Sequence, residues 1–356
     1  YGHANCLFGG GMEHQTITSL ISSTFYSDKT YEDLIAHELA HMWWGDMITC
    51  KTFHDIWLNE GFAVYSEALY REQRYGKEDF HNQINASEYK GPGTIYVENP
   101  ENGVFTSHNV PLVYDKAAFV LHMMRHMVGD STFFNILKTY YADTRYQYNV
   151  ASTADFQELC EQVSGMDLDF FFQQWIFGEG YPQYEVSWNY FENAPGNYIV
   201  SGHIRQTQTE GNLFKMPVDI TIKMGASDTT FVFWADSELN LFEFNVPQKP
   251  TSLVVDKDNW LMDDTEYLTA PQLEVVFSEA TELTGDGDGY PGANETAQLR
   301  IQLLNTGAGI SGLTAELSTS DPTVTFTKSE SNFGIVNSYQ KSGNSGDPFE
   351  LSLSAD

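Results

Sequence analysis

His37-Glu38-Leu39-Ala40-His41 (HELAH) is the stretch on which the reading of this chain turns. On an α-helix, residues i and i+4 stand on one face one turn apart, so the two imidazoles point at a single spot. That convergence suits a metal ion, and it equally suits two histidines packed in a core. The surrounding pattern YEDLIAHELAHMWW repeats apolar residues at helical spacing, and Thr30 with Asp33 resembles a capping box. HELAH therefore lies on a helix, and other residues must decide what the histidines do.

A catalytic zinc takes about three protein ligands and keeps one position for water. Two imidazoles one turn apart need a third partner from another element. Eighteen residues separate His41 from Glu60, which opens a second helical pattern, IWLNEGFAVYSEALYREQRYG, with Asp55 as its N-cap and Gly76 as its stop. A helix, a connection and a return helix can bring Glu60 opposite the histidines. By chance, a chain of this length holds H-E-x-x-H in roughly 1 to 2% of cases, and a Glu at one set later position cuts that about twentyfold. Glu38 sits about 100° around the helix from His37, so it can reach a metal-bound water without ligating, as a general base must. Glu67, two turns beyond Glu60, is placed to hold a ligand histidine through its second ring nitrogen. His3, His54, His81 and His108 lack such spacing; His122 and His126 repeat the i, i+4 step without an acidic third ligand.

HELAH, Glu60 within NEG and the preceding GGGMEH together resemble the gluzincin aminopeptidases of the aminopeptidase N and leukotriene-hydrolase group, over most of residues 1 to 265. The resemblance implies a thermolysin-like catalytic domain that removes N-terminal residues from peptides. It implies His37, His41 and Glu60 as zinc ligands and Glu38 as the base. Gly10, Gly11, Met12 and Glu13 match the family's Gly-x-Met-Glu-Asn segment. There the glycines let backbone pass close to a bound peptide, and the carboxylate pairs with the substrate's free α-ammonium. His14 stands where the family usually has Asn, and Gln15 where part of it has Pro. Tyr114, in LVYDKAAFVLHMMR, matches the family's Tyr-Glu-Lys-Gly segment, with Asp115 for Glu and Ala117 for Gly; its phenol can donate to the oxyanion of a tetrahedral intermediate. Tyr96, in TIYVENP, is the nearest rival. Family members usually carry a β-rich domain before the Gly-x-Met-Glu segment and a helical C-terminal domain. Opening on Tyr1 without an initiator Met, the chain reads as an N-terminally truncated piece of a longer parent, with the parent's other domains as partners and weakened activity on its own.

The fold class that follows is multidomain α+β. Residues 1–181 form a thermolysin-like, mainly helical zinc peptidase domain, with further helices in YDKAAFVLHMMRHMVG, STFFNILKTYYADTRY, TADFQELCEQVSG and LDFFFQQWIFGEG. After Tyr181-Pro182 the texture becomes short alternating runs between Pro, Gly and Asn turns, which reads as a β-sandwich over 182–270 and a second β-sandwich-like domain over 271–356. In the latter, TGDGDGYPGANET offers Asp286, Asp288 and Glu295 as hard oxygen ligands for a structural calcium ion.

The 356 residues carry 18 Lys+Arg against 49 Asp+Glu, a net charge of −31. Such acidity disfavours nucleic acid and anionic lipid as partners, and the resemblance implies peptides with a free N-terminus as the substrates. No apolar run reaches membrane-spanning length. Three widely spaced cysteines, Cys6, Cys50 and Cys160, form neither a disulfide framework nor a thiolate zinc site, so buried free thiols are expected. The acidic charge fits a protein kept soluble outside the cell, and TGDGDGYPGANET resembles a turn of the β-sandwich repeats appended to secreted bacterial enzymes, which together imply a secreted or cell-envelope protein of bacterial type. Two other functions fit parts of this pattern. A secreted adhesion or scaffold module would use the peptidase fold only as a platform, and would not need Glu38 or Tyr114. A zinc endopeptidase would not need Glu13.

Overall fold

The computed structural model describes residues 1–26, 29–209 and 212–355. They divide into two compact units, one built from Tyr1–Pro182 with Gln208–Val218 and Asp256–Asp263, the other from Gln183–Thr207, Asp219–Val255 and Asp264–Asp356. The first unit begins with a small sheet in which β1 (Gly2–Cys6) runs parallel to β3 (Ile17–Ile21), and β2 (Gly11–Met12) pairs antiparallel on the other side of β3. A second short pairing joins β4 (Ile48–Cys50) to β5 (Asn149–Ala151).

Seven α-helices are described there, besides short 3-10 and π turns: α1 (Glu32–Ala40), α2 (Trp57–Tyr75), α3 (Lys77–Asn85), α4 (Ala117–Val128), α5 (Asp130–Ala142), α6 (Thr153–Ser164) and α7 (Asp169–Trp175). α2 is the central one. Every residue from Trp57 to Tyr65 is buried, because neighbours cover its first turns on all sides. Gly61 makes the closest approach possible: a Cβ there would stand 2.5 Å from the Cβ of Ala117, so α2 and α4 meet without a side chain between them. The aromatic core lies alongside, with Phe62 and Tyr140 packed on Phe156 at 5.2 and 5.1 Å between ring centres.

Helix ends follow local chemistry in some places and tertiary partners in others. Ser152 and Asp155 form a reciprocal capping box on α6, and Gly165 closes that helix at φ 70°. The capping roles expected for Thr30 with Asp33 and for Asp55 do not occur. The N-caps are Tyr31 and Ile56, without side-chain caps. Asp33 instead takes two 2.6 Å hydrogen bonds from Arg71 on α2, and Asp55 accepts from the Thr153 amide and hydroxyl at 2.9 and 2.8 Å. A charge-assisted fork and a buried acceptor with two donors each outcompete a solvent-facing cap. α3 was not legible in the sequence, since KEDFHNQIN supplies only Phe80 and Ile84 as apolar anchors. Gly76, at φ 98°, makes the corner that turns α3 back along α2.

The second unit is all strand. β6 (Gln183–Ala194), β7 (Asn197–Gln206), β8 (Met216–Met224), β9 (Ser227–Ala235), β10 (Leu239–Val246), β11 (Ser252–Val255) and β12 (Asp264–Tyr267) form sheets of order β10-β7-β6-β12 and β11-β8-β9. Alternation buries Val186, Val200, Ile204, Ile220 and Ile222. Farther along come β13 (Leu273–Thr284), β14 (Thr296–Asn305), β15 (Ile310–Glu316), β16 (Val324–Lys328), β17 (Glu330–Val336), β18 (Lys341–Gly343) and β19 (Phe349–Leu353). Their main sheet runs β13-β14-β19-β16, β15 pairs with β17, and Leu303, Phe333, Val336 and Phe349 form a core. Cys50 and Cys160 are buried free thiols, whereas Cys6 is only partly buried, since β1 has a single neighbouring strand. No helix among the described residues is long and apolar enough to cross a membrane.

Candidate active site

The helical spacing of HELAH and the return of α2 bring three ligand atoms to one point. Nε2 of His37 and Nε2 of His41 are 3.1 Å apart, and Glu60 Oε2 lies 3.5 Å from the first and 3.3 Å from the second. Ligands on a tetrahedral zinc, with bonds near 2.0–2.1 Å, stand about 3.3 Å from one another. The far side of each imidazole is already committed. His37 Nδ1–H donates to Glu67 Oε1 at 2.8 Å, and His41 Nδ1–H donates to the Trp44 carbonyl at 2.9 Å. With the protons on Nδ1, both Nε2 lone pairs face each other and a buried Glu60 oxygen that has no hydrogen-bond donor. Three lone-pair atoms at such distances require positive charge among them.

The electrostatics express the same demand. Burial disfavours a charged His37, yet the neighbouring carboxylates of Glu60 and Glu67 outweigh it and raise the pKa to about 10. Burial likewise opposes ionisation of Glu60, but the two imidazoles draw its pKa down to about 2. A proton or a metal ion meets that requirement, and the donor set of two imidazoles and one carboxylate is that of a zinc site with a free position.

Glu38 is 4% exposed, and its Oε2 has no hydrogen-bond partner. Burial pushes its pKa to about 7, with the histidines pulling down and Glu13 and Glu60 pushing up. Gly11, on β2, is packed against this carboxyl group, so Gly10 (φ 83°), Gly11 and Met12 run directly past the proposed base. Glu13 follows, half-buried, and its charge is felt by Glu38, His41, Asp46 and Tyr114. Tyr114 stands on a π-helical turn, Leu112–Lys116, that leads into α4. Its ring is stacked 6.0 Å from His37, and burial followed by the nearby Glu60 carboxylate raises its pKa, so the phenol keeps its proton. Tyr96 is elsewhere, stacked on His54 at 5.1 Å and packed on Phe177. His122 and His126 both stack on Trp260, at 4.4 and 4.9 Å, which accounts for their spacing as packing.

Three contributors were not foreseen: the Trp44 carbonyl, Asp46 and Gln83. A backbone acceptor has no sequence signature. Asp46 follows the turn after α1, where burial and Glu13 raise its pKa to about 6. Gln83 donates to Glu67 Oε2 at 2.9 Å. In the second unit the acidic turn is arranged differently from the expected calcium set: Asp286 and Asp288 come together with Glu282, while Glu295 accepts the Asp286 and Gly292 amides. Backbone donors within three to nine residues satisfy Glu295 before any ion is needed.

Residues 7–175 match the Peptidase family M1 domain. Probable aminopeptidase 2 of Sulfurisphaera tokodaii is 31% identical over 179 residues, covering 47% of this chain and 22% of that protein. Aminopeptidase N of Lactococcus lactis subsp. lactis is 30% identical over 161 residues, covering 42% and 19%. Leucyl aminopeptidase of Saccharolobus solfataricus is 28% identical over 239 residues, covering 63% and 29%. Among solved structures, Legionella pneumophila aminopeptidase A in complex with aspartic acid superposes with a TM-score of 0.62 at 17% identity, over 75% of this chain and 32% of that one. The chain thus spans about a fifth to a third of the length of these relatives. Residues 7–175 are thus similar to a peptidase family M1 domain, the gluzincin family that the motifs resemble, and the relatives named above are aminopeptidases.

Proposed function

We propose that this chain is the catalytic part of a zinc-dependent aminopeptidase that releases N-terminal residues from peptides. The observation that carries the reading is the triangle of His37 Nε2, His41 Nε2 and Glu60 Oε2, with sides of 3.1 to 3.5 Å and no donor inside it. When bound there, zinc would polarise a carbonyl oxygen and lower the pKa of a water towards about 7. Glu38 takes the proton of the attacking water, then delivers it to the leaving amine. Tyr114 donates its hydroxyl to the oxygen on which negative charge develops. Glu13 pairs with the substrate's α-ammonium, which limits attack to the first peptide bond. Gly10, Gly11 and Met12 present backbone to the peptide beside it.

In this reading the helical unit is a thermolysin-like domain and the strand-rich unit holds appended β-sandwiches. The net charge of −31 supports an extracellular or envelope location. Hydrolysis of an aminoacyl-arylamide, compared with its N-acetylated counterpart with and without a chelator, tests the proposal. Chelator-sensitive cleavage of the free-amine substrate alone is expected. Cleavage of the blocked one would make the enzyme an endopeptidase, and cleavage of neither would favour a scaffold.

A further inference from the structure

We infer that Gln83, on α3, is a positioning residue for the metal centre, acting on His37 through Glu67. This rests on the zinc reading above. The connection is continuous: the Gln83 side-chain amide donates to Glu67 Oε2 at 2.9 Å, and Glu67 Oε1 accepts from His37 Nδ1–H at 2.8 Å. The direction of the amide follows from its partner, because an ionised carboxylate accepts only, so the Gln83 nitrogen must face it.

The fold places this donor with little freedom. Gly76 turns the chain so that α3 lies along α2, and Phe80 and Ile84, at 2% and 0% exposure, lock α3 by its apolar face, with Phe80 edge-on to Tyr65 of α2 at 6.2 Å. Gln83 stands next to Ile84 on the same helix, where its side chain meets the middle of α2. A carboxylate turns readily about its terminal bond, which is a broad, roughly two-fold torsion. With a donor on each oxygen, Glu67 is held in one plane, and that plane aims His37 Nε2 at His41 and Glu60. Without Gln83, one oxygen of a largely buried carboxylate loses its donor and can turn to compete for His37 or for water. Outer partners of ligand histidines commonly change metal affinity by about 10- to 100-fold.

The test measures zinc affinity by competition with a chromophoric chelator, together with the thermal midpoint of the zinc-free protein. Gln83→Leu keeps the size and removes the donor; Gln83→Lys restores a donor; His41→Ala is the control for the site itself. Zinc binding about tenfold weaker in Gln83→Leu, recovered in Gln83→Lys, with the zinc-free midpoint unchanged, supports the inference. Unchanged zinc affinity in Gln83→Leu overturns it, as does a loss accompanied by a lower zinc-free midpoint that Gln83→Lys does not restore. Should His41→Ala bind zinc as tightly as the unaltered chain, the zinc assignment itself fails, an outcome distinct from failure of the Gln83 role.

Discussion

Gly11 is seated directly against the carboxyl group of Glu38: a Cβ at position 11 would run into Glu38 Oε1 and Cδ. Since Glu38 is buried, within reach of the charges of His37, His41 and Glu60, it has little room to swing clear. Gly11→Ala is expected to lower kcat roughly 100-fold, the order of effect of a 1 Å misplacement of a catalytic group, with zinc uptake unchanged. Arylamide kinetics and metal content check it together; full activity in the alanine variant would mean that β2 does not constrain the base.

In the proposed mechanism Glu38 and Tyr114 act once the metal is in place, so neither is needed to hold it. Glu38→Gln is expected to lose about 10²- to 10⁴-fold in kcat, and Tyr114→Phe about 10²- to 10³-fold. Both should retain one zinc per chain. Loss of zinc from Glu38→Gln would assign that carboxylate to the ligand set instead.

Gly61 and Ala117 share one space at the crossing of α2 and α4, where Cβ atoms would meet at 2.5 Å. Overpacking predicts that Gly61→Ala costs about 1–3 kcal/mol of stability in denaturant unfolding. Adding Ala117→Gly should recover most of that, because the second change vacates the contested volume. Additive losses in the double variant would place the strain elsewhere.

Lys116 is 1% exposed, and burial lowers its pKa to about 8, with Glu179 opposing. A lysine whose folded pKa lies below its unfolded value near 10.4 binds fewer protons when folded, so its contribution to stability rises as pH climbs from about 8 to about 10.4. Below pH 8 the full penalty applies, on the order of 3 kcal/mol. Lys116→Met should therefore stabilise the protein at pH 7, with the advantage shrinking towards pH 10. A pH-independent difference between the two proteins would contradict this.

How far the sequence revealed the site depended on the range of each contact. HELAH needed only the helical repeat, and Glu60 only a return helix, so the ligand triangle was legible. So was Glu67, which lies two turns from Glu60 on one helix. Gln83 was not, because α3 has two apolar anchors and no strong period, and its partner comes from α2. Asp33 and Asp55 misled for the related reason that local capping chemistry cannot register Arg71 or Thr153 arriving from distant segments. Glu295 misled for the opposite reason: amides of its own turn satisfy it and leave Glu282 beside Asp286 and Asp288. Two glycines gained a physical reason: Gly11 makes room for Glu38, and Gly61 for Ala117.

Calorimetric titration of the metal-free chain with zinc tests whether His37, His41 and Glu60 hold a metal ion together. One equivalent bound by the unaltered protein, with binding lost or weakened at least 100-fold in Glu60→Ala, is the predicted result. Equal affinity in the two proteins, or no binding by the unaltered one, would contradict it.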